Sequence, residues 1–138
     1  MNTKFIPIAG LVLFVGLLLG FQKKTPTENT PQKKGMIKVT ILYPNAEGKN
    51  FDMDYYSNKH MPMVASLFGD SLKMYEIDKG IGGRTPGEPI PYLAIGYFYF
   101  DNLSTYQNSF KANAEKIRND IPNYTNIQPV VQISEVLR

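Results

Sequence analysis

Cysteine is absent from this chain of 138 residues, and histidine occurs only once, at position 60. Without thiols the chain has no disulfides, thiolate metal sites or thiol nucleophiles, so its domain is indifferent to the redox state of its compartment. A single imidazole leaves only carboxylates to complete a metal site, and Asp52 and Asp54 are better explained as charges in the first turn of a helix. We therefore predict neither a bound metal nor a cofactor such as haem.

The excess of positive charge lies at the N-terminal end of the chain. Residues 1–35 contain five lysines and one glutamate, whereas residues 36–138 contain ten basic and eleven acidic side chains. The second segment is thus nearly neutral and has no basic stripe of the kind that contacts a phosphate backbone. We predict that the protein has no nucleic-acid partner.

One uncharged, apolar run of 17 residues, 5–21, lies between Lys4 and the pair Lys23 and Lys24. Such a run is typical of a secretory signal or a short membrane anchor. We predict that residues 1–22 are a signal peptide or membrane anchor. The protein would then be exported to the periplasm or the cell exterior, or be held in a membrane through residues 5–21 alone. Residues 23–35 are polar, with two prolines and four lysines, and are predicted to be a disordered linker.

Strand and helix patterns alternate along residues 36–138. Alternating or continuous apolar residues indicate strands, and apolar residues at helical spacing after Asp52 and after Asp101 or Asn102 indicate helices. Pro62 lacks an N–H and disfavours helical angles at Met61, so we expect the first helix to form two pieces joined at His60 and Met61. The predicted elements are strand 36–43, helix 52–69, strand 72–79, strand 92–100, helix 102–121 and strand 130–137.

This order of elements, β-α-β-β-α-β, predicts an α+β fold of the ferredoxin-like type. In that fold two helices cover one face of a four-stranded antiparallel sheet. Residues 92–100 are apolar at nearly every position, which is typical of a strand buried on both faces. Because two helices cover only one face, the other needs a second cover. A second copy of the domain is the simplest cover, and we predict a face-to-face homodimer.

Residues 36–138 resemble the EthD-like branch of the dimeric α/β-barrel superfamily. The residues that carry the resemblance are Phe51 and Asp52, Tyr55 and Tyr56, the run Lys59, His60, Met61 and Pro62, and Gln132, Ile133 and Ser134 in the last strand. The resemblance implies a homodimer in which two sheets form a barrel, and a pocket between the sheet and the helices of each subunit. Relatives of this kind include small cofactor-free monooxygenases, lactone isomerases and haem-handling enzymes.

The segment around His60 is the candidate site. An unperturbed imidazole pKa of roughly 6.5 suits proton transfer, so we predict His60 as a catalytic acid or base, with Tyr43, Tyr56 and Tyr75 binding the substrate. This interpretation favours a cofactor-free oxidoreductase or isomerase that acts on a small, apolar, oxygen-bearing molecule. The alternative is a non-catalytic ligand-binding or structural dimer in which His60 bonds a backbone group and holds the helix joint.

Overall fold

The computed structural model describes residues 33–138, in which four strands form one antiparallel sheet. The strands are β1 (Ile37–Pro44), β2 (Met74–Lys79), β3 (Tyr92–Phe100) and β4 (Val130–Glu135), in the order β2-β3-β1-β4. The helical elements are α1 (Met53–Tyr55), a π-helical turn (Tyr56–His60), α2 (Met61–Phe68) and α3 (Leu103–Asp120). The predicted ferredoxin-like α+β fold is confirmed.

The N-terminal predictions fall almost entirely outside the described part of the chain. Neither the predicted signal or anchor, residues 1–22, nor linker residues 23–32 are described. Among residues 33–138, no helix has the length and apolar character needed to cross a membrane. The last linker residues belong to the folded unit: Lys33 Nζ lies 2.6 Å from Glu76 Oε1, and the Gly35 N–H donates to the Val136 carbonyl over 2.7 Å. The polar composition of these residues predicted a linker. Composition alone cannot reveal that they contact residues much further along the chain.

The core lies between the sheet and the helices. Val39 on β1 is paired with Phe98 on β3, and Tyr43 with Ala94, and all four side chains are buried on this face. Burying a large apolar side chain contributes about 1.5–3 kcal/mol, so this layer is the main source of stability. The buried core residues are Val39, Tyr43, Tyr56, Met61, Val64, Phe68, Ala94, Phe98, Phe100, Tyr106, Ile117, Tyr124 and Ile127.

The first helical segment begins as its sequence predicts. Asp52 is the N-cap, and its carboxylate accepts the Tyr55 N–H over 2.9 Å. Phe51, just before the cap, packs edge-to-face on Tyr56 with ring centroids 5.0 Å apart, which is the expected hydrophobic staple. Together these contacts set the direction in which Tyr56 enters the core.

The helix joint differs from the prediction. Met61 keeps helical angles (φ −63°, ψ −42°), and its N–H donates to the Tyr56 carbonyl, five residues back. The wider π-turn makes room for the ring of Pro62, which in a regular helix would collide with the carbonyl four residues earlier. The helix type changes between His60 and Met61, where the joint of two pieces was predicted, but the backbone stays helical through the proline, so the expected departure of Met61 from helical angles is wrong. One consequence is that Tyr56 and His60, at the two ends of the turn, are both buried.

The face of the sheet away from the helices is divided into an apolar end and a polar end. Leu42 is paired with both Ile95 and Val130, so these three residues form an apolar row across β3, β1 and β4. Toward the other end of the face, hydroxyl groups on β3 bond to acidic side chains on β2. Tyr99 donates to Glu76 over 2.6 Å, and Tyr97 donates to Asp78 over 2.8 Å. β3 is thus apolar in composition, but on this face its tyrosines present bonded hydroxyls.

Gly96, at the centre of β3, leaves room for the phenol of Tyr56. A Cβ at Gly96 would overlap the Tyr56 hydroxyl, whereas a Cβ at Gly82 would meet open space. We expect Gly96→Ala to lower the free energy of unfolding by about 1–3 kcal/mol, since the added methyl overpacks this layer. Urea unfolding would measure the loss. Tyr56→Phe in the Gly96→Ala background removes the colliding oxygen and should restore part of it, and Gly82→Ala is the matched control. Equal stability of the two alanine variants would contradict this account.

Candidate functional site

A pocket of about 520 Å³ lies between the sheet and the helices. Its wall is mostly aliphatic and aromatic, and a few polar side chains interrupt it. A pocket of this size and character is typical of small-molecule sites. The lining residues are Val39, Ile41, Tyr43, Tyr56, His60, Met61, Val64, Phe68, Phe98, Tyr106, Phe110, Ile117, Arg118, Ile121, Pro122, Gln128, Pro129 and Val131.

The wall of the pocket has few charged side chains. Among the lining residues that the structure describes, none is a carboxylate and Arg118 is the one permanently charged residue, with its guanidinium carbon 5.4 Å from the centre of the Phe110 ring. Across residues 33–138, no three His, Asp or Glu side chains are grouped closely enough to hold a metal ion. The wall thus suits neutral or anionic molecules better than cations.

His60 is 4 % exposed, and both ring nitrogens are hydrogen-bonded. Nδ1 lies 2.7 Å from Oδ2 of Asp120, at the end of α3, and Nε2 lies 3.3 Å from the hydroxyl of Tyr124. An ionised carboxylate can only accept, so Nδ1 carries the proton, and a neutral ring then accepts from Tyr124 at Nε2. If His60 only held the helix joint, we would expect its ring to bond a backbone group. Its two partners are side chains instead.

Asp120 is held in place by two further donors. The Tyr55 hydroxyl and the Asn123 amide both donate to Oδ1, each over 2.9 Å. Burial acts to raise the pKa of the Asp120 carboxyl, but the hydrogen bonds from His60, Asn123 and Tyr55 outweigh burial and hold this pKa below its ordinary value. Asp120 is therefore a carboxylate at neutral pH.

The His60 imidazole is neutral at the same pH. Burial lowers its pKa below the ordinary histidine value and outweighs the hydrogen bond and the negative charge of Asp120, which both act to raise it. The contact between the two side chains is consequently a hydrogen bond between a neutral ring and a carboxylate. This state leaves the ring able to accept one more proton, with a counter-charge already beside it.

Three phenols pack around His60. The hydroxyls of Tyr43 and Tyr124 lie 2.7 Å apart, and the ring of Tyr56 stacks on the imidazole with centroids 5.7 Å apart. Burial is the main cause that raises the pKa of Tyr43, Tyr56 and Tyr124. All three phenols therefore stay protonated near neutral pH.

Tyr56 contributes a second hydroxyl to the pocket wall beside that of Tyr43. The side chain is 1 % exposed, and a hydrogen bond between the Tyr56 and Tyr43 hydroxyls contributes to the pKa of both groups. A ligand oxygen at this end of the pocket would accept from Tyr56 once this hydroxyl turned away from Tyr43.

The structure brings together three of the four residues predicted from the sequence. Tyr43, Tyr56 and His60 all line the pocket. Tyr75 does not: it lies on β2, is 38 % exposed, and packs beside Phe98 with ring centroids 6.3 Å apart. Asp120 and Tyr124 were missed, because they follow His60 by 60 and 64 residues. The signal that points to them is indirect, namely that a buried imidazole needs polar partners.

The fold and pocket define a ferredoxin-like α+β protein with a mainly apolar pocket between its sheet and helices. The family profile of the EthD domain matches residues 45–128. The chain belongs to the EthD family.

Solved structures are similar to this chain to different degrees. An EthD-like protein from Ralstonia eutropha JMP134 is 40 % identical, with a TM-score of 0.73 over 76 % of this chain and 95 % of that one. An ethyl tert-butyl ether D family protein from Bacillus halodurans C-125 is 19 % identical, with a TM-score of 0.52 over 74 % and 99 %, and shows the shared fold alone. A dimeric protein of unknown function with a ferredoxin-like fold, from Bacteroides fragilis NCTC 9343, is 14 % identical, with a TM-score of 0.43 over 75 % and 99 %. No functionally curated protein matches the chain.

The lowered pKa of His60 has a definite consequence for stability. Because the fold disfavours the imidazolium, stability is fully present above the unfolded-state value of roughly 6.5 and is lost as pH falls from there through the lower folded-state pKa. His60→Asn removes this titration while its amide can still donate to Asp120. We expect the free energy of unfolding of the wild type to fall between pH 7 and pH 5.5, and that of His60→Asn to fall less, as measured by urea unfolding. Parallel pH profiles would show that His60 does not titrate in this way.

Proposed function

We propose that the pocket binds a small, largely apolar molecule that carries oxygen, and that His60 supplies the base that exchanges a proton with it. Tyr56 and Tyr43 would hold the reacting oxygen. The observation that carries this proposal is a neutral imidazole in the wall of an apolar pocket, bonded on its far side to the Asp120 carboxylate. Proton transfer of this kind fits a cofactor-free oxidoreductase or isomerase.

The size and polarity of the pocket support this class of ligand. A volume of about 520 Å³ accommodates a molecule with one or two rings. The Tyr56 ring lies 5.4 Å from Tyr43 and 5.7 Å from His60 between centroids, so the polar groups are clustered in one part of a mainly apolar wall. A ligand with one oxygen-bearing end and an apolar body would match that distribution.

The first experiment measures ligand binding and turnover together. The full chain would be incubated with a panel of phenols, ketones and lactones, with binding followed by native mass spectrometry and conversion by chromatography. For a compound that is converted, we expect His60→Asn to keep binding within a few-fold and to lose turnover by about 10²–10⁴-fold, the usual contribution of a proton-transfer residue. Tyr75→Phe, outside the pocket, is the matched control. Undiminished turnover in His60→Asn would remove the assignment of His60 as the base.

A non-catalytic alternative rests on one specific observation. Both nitrogens of His60 are already hydrogen-bonded to protein groups, as they would be if the ring only held α2 against the end of α3. In that case the same panel would show binding without conversion. His60→Ala would then lower thermal stability, because it leaves the buried Tyr124 hydroxyl without this partner, and would leave affinity unchanged.

We also propose that the apolar end of the outer sheet face is covered by a second copy of the chain. Leu42, Ile95 and Val130 form a row across three strands, and Val130 is 54 % exposed. An apolar row of this kind gains free energy when another apolar surface covers it. A two-fold dimer would place the same row against itself, because such an interface uses the same patch on both subunits.

Sedimentation velocity on matched variants tests the dimer. Val130 and Gln132 are both exposed residues of β4 on the outer face, two positions apart, and Gln132 lies toward the polar end. We expect Val130→Lys to weaken dimerisation at least tenfold, since it buries two like charges at the two-fold interface, and Gln132→Lys to have a smaller effect. Either a monomeric wild type or indistinguishable variants would refute this interface.

A further inference from the structure

We infer that Tyr43, Tyr124, His60 and Asp120 form a proton relay that carries a proton from a ligand hydroxyl in the pocket to the imidazole. This inference rests on the proposed function and adds to it the route of the proton and the class of ligand. Both nitrogens of His60 are occupied, Nδ1 by Asp120 and Nε2 by Tyr124. His60 can therefore act on a ligand without breaking a buried hydrogen bond only if it acts through Tyr124.

The charge states assign a direction to the chain of hydrogen bonds. The Asp120 carboxylate accepts from Nδ1–H, so the neutral ring accepts at Nε2 from the Tyr124 hydroxyl. The Tyr124 oxygen is then the acceptor for the Tyr43 hydroxyl, 2.7 Å away. At the pocket end of this series of hydrogen bonds, the Tyr43 oxygen is the acceptor for the Tyr56 hydroxyl or for a ligand hydroxyl that replaces it. The relay is thus set to take up a proton at Tyr43.

The two ends of the relay lie in different surroundings. Tyr43 and Tyr124 are equally buried, but Tyr43 belongs to the lining of the pocket and Tyr124 does not. The Asp120 side chain is 17 % exposed and borders a shallow depression on the protein surface together with Lys116 and Asn119. The hydrogen bonds therefore connect the pocket to a carboxylate that water can reach.

The transfer balances without an oxidant or a further reactant. The ligand O–H bond breaks, and its proton bonds to the Tyr43 oxygen while the Tyr43 proton moves to Tyr124 and the Tyr124 proton moves to Nε2 of His60. The products are a ligand oxyanion and an imidazolium. Asp120 remains ionised and stabilises the imidazolium, and the Tyr56 hydroxyl, displaced from Tyr43 by the ligand, can donate to the oxyanion. Phenols and enols are more acidic than alcohols and give an oxyanion that the Tyr56 hydroxyl can stabilise, so they are the ligand class that the relay suits.

The test uses p-nitrophenol, whose absorbance distinguishes the phenol from the phenolate, and the full chain labelled with ¹⁵N-histidine. His60 is the only histidine, so its two ring nitrogens are directly observable. At a pH where free p-nitrophenol is mostly un-ionised, we expect the bound compound to be ionised and His60 to be doubly protonated. Tyr124→Phe should bind the compound within a few-fold and lose both signals. Ionisation that persists in Tyr124→Phe would overturn the relay.

A measurement without ligand separates failure of the relay from failure of the pocket proposal. Hydrogen bonds in a chain strengthen one another by roughly 10–30 % each, so Tyr43→Phe should shift the Nε2 resonance of His60 although Tyr43 does not touch the ring. Tyr75 is not part of this series of hydrogen bonds, so Tyr75→Phe should leave the Nε2 resonance unchanged. An unshifted Nε2 in Tyr43→Phe refutes the relay even if p-nitrophenol binds. If the shift occurs and p-nitrophenol does not bind, the relay is supported and the pocket proposal fails for this ligand.

Discussion

The hydrogen bond between His60 and Asp120 is the contact on which the site depends. It joins the end of the π-turn to the end of α3 over 2.7 Å, between residues 60 positions apart. A buried carboxylate or imidazole without a partner is costly, so the two groups stabilise each other's positions as well as the two helices that carry them. The surroundings of the pair also determine the charge state of each group. Burial keeps the imidazole neutral, and the donors around Asp120 keep the carboxylate ionised.

The backbone explains why His60 can reach that partner. In the wide turn, the Met61 N–H bonds five residues back to Tyr56, and the ring of Pro62 fits into a helix that would otherwise exclude it. The extra width rotates the residues before Pro62 relative to those after it, so Tyr56 and His60 stack on the core side. π-turns of this kind are frequent at functional sites because they change which side chains share a face of a helix.

The fold could be predicted from the sequence because its signals are local. The bounds of β3 follow from eight apolar or aromatic residues and one glycine between turns, and the two N-caps, Asp52 and Asn102, are visible as side chains before helical patterns. The site could be predicted only in part. Tyr56 and His60 are four positions apart on one segment, but Asp120 and Tyr124 meet them only through tertiary packing. Tyr75 and Tyr43 are both tyrosines on strands, and only the strand order, which places β2 at the edge of the sheet, separates Tyr75 from the pocket.

The two faces of the sheet carry different kinds of side chain, and β3 contributes to both faces. On the inner face, Gly96 carries no side chain where Tyr56 enters, and Ala94 and Phe98 complete the wall around it. On the outer face, Ile95 contributes to the apolar row, whereas Tyr97 and Tyr99 bond to acidic side chains on β2. An apolar strand is thus poor evidence for two equally apolar faces, since a tyrosine counts as apolar in composition yet presents a hydroxyl. Leu42, Ile95 and Val130 have no such hydroxyls, so their row is the part of this face that the proposed second copy would cover.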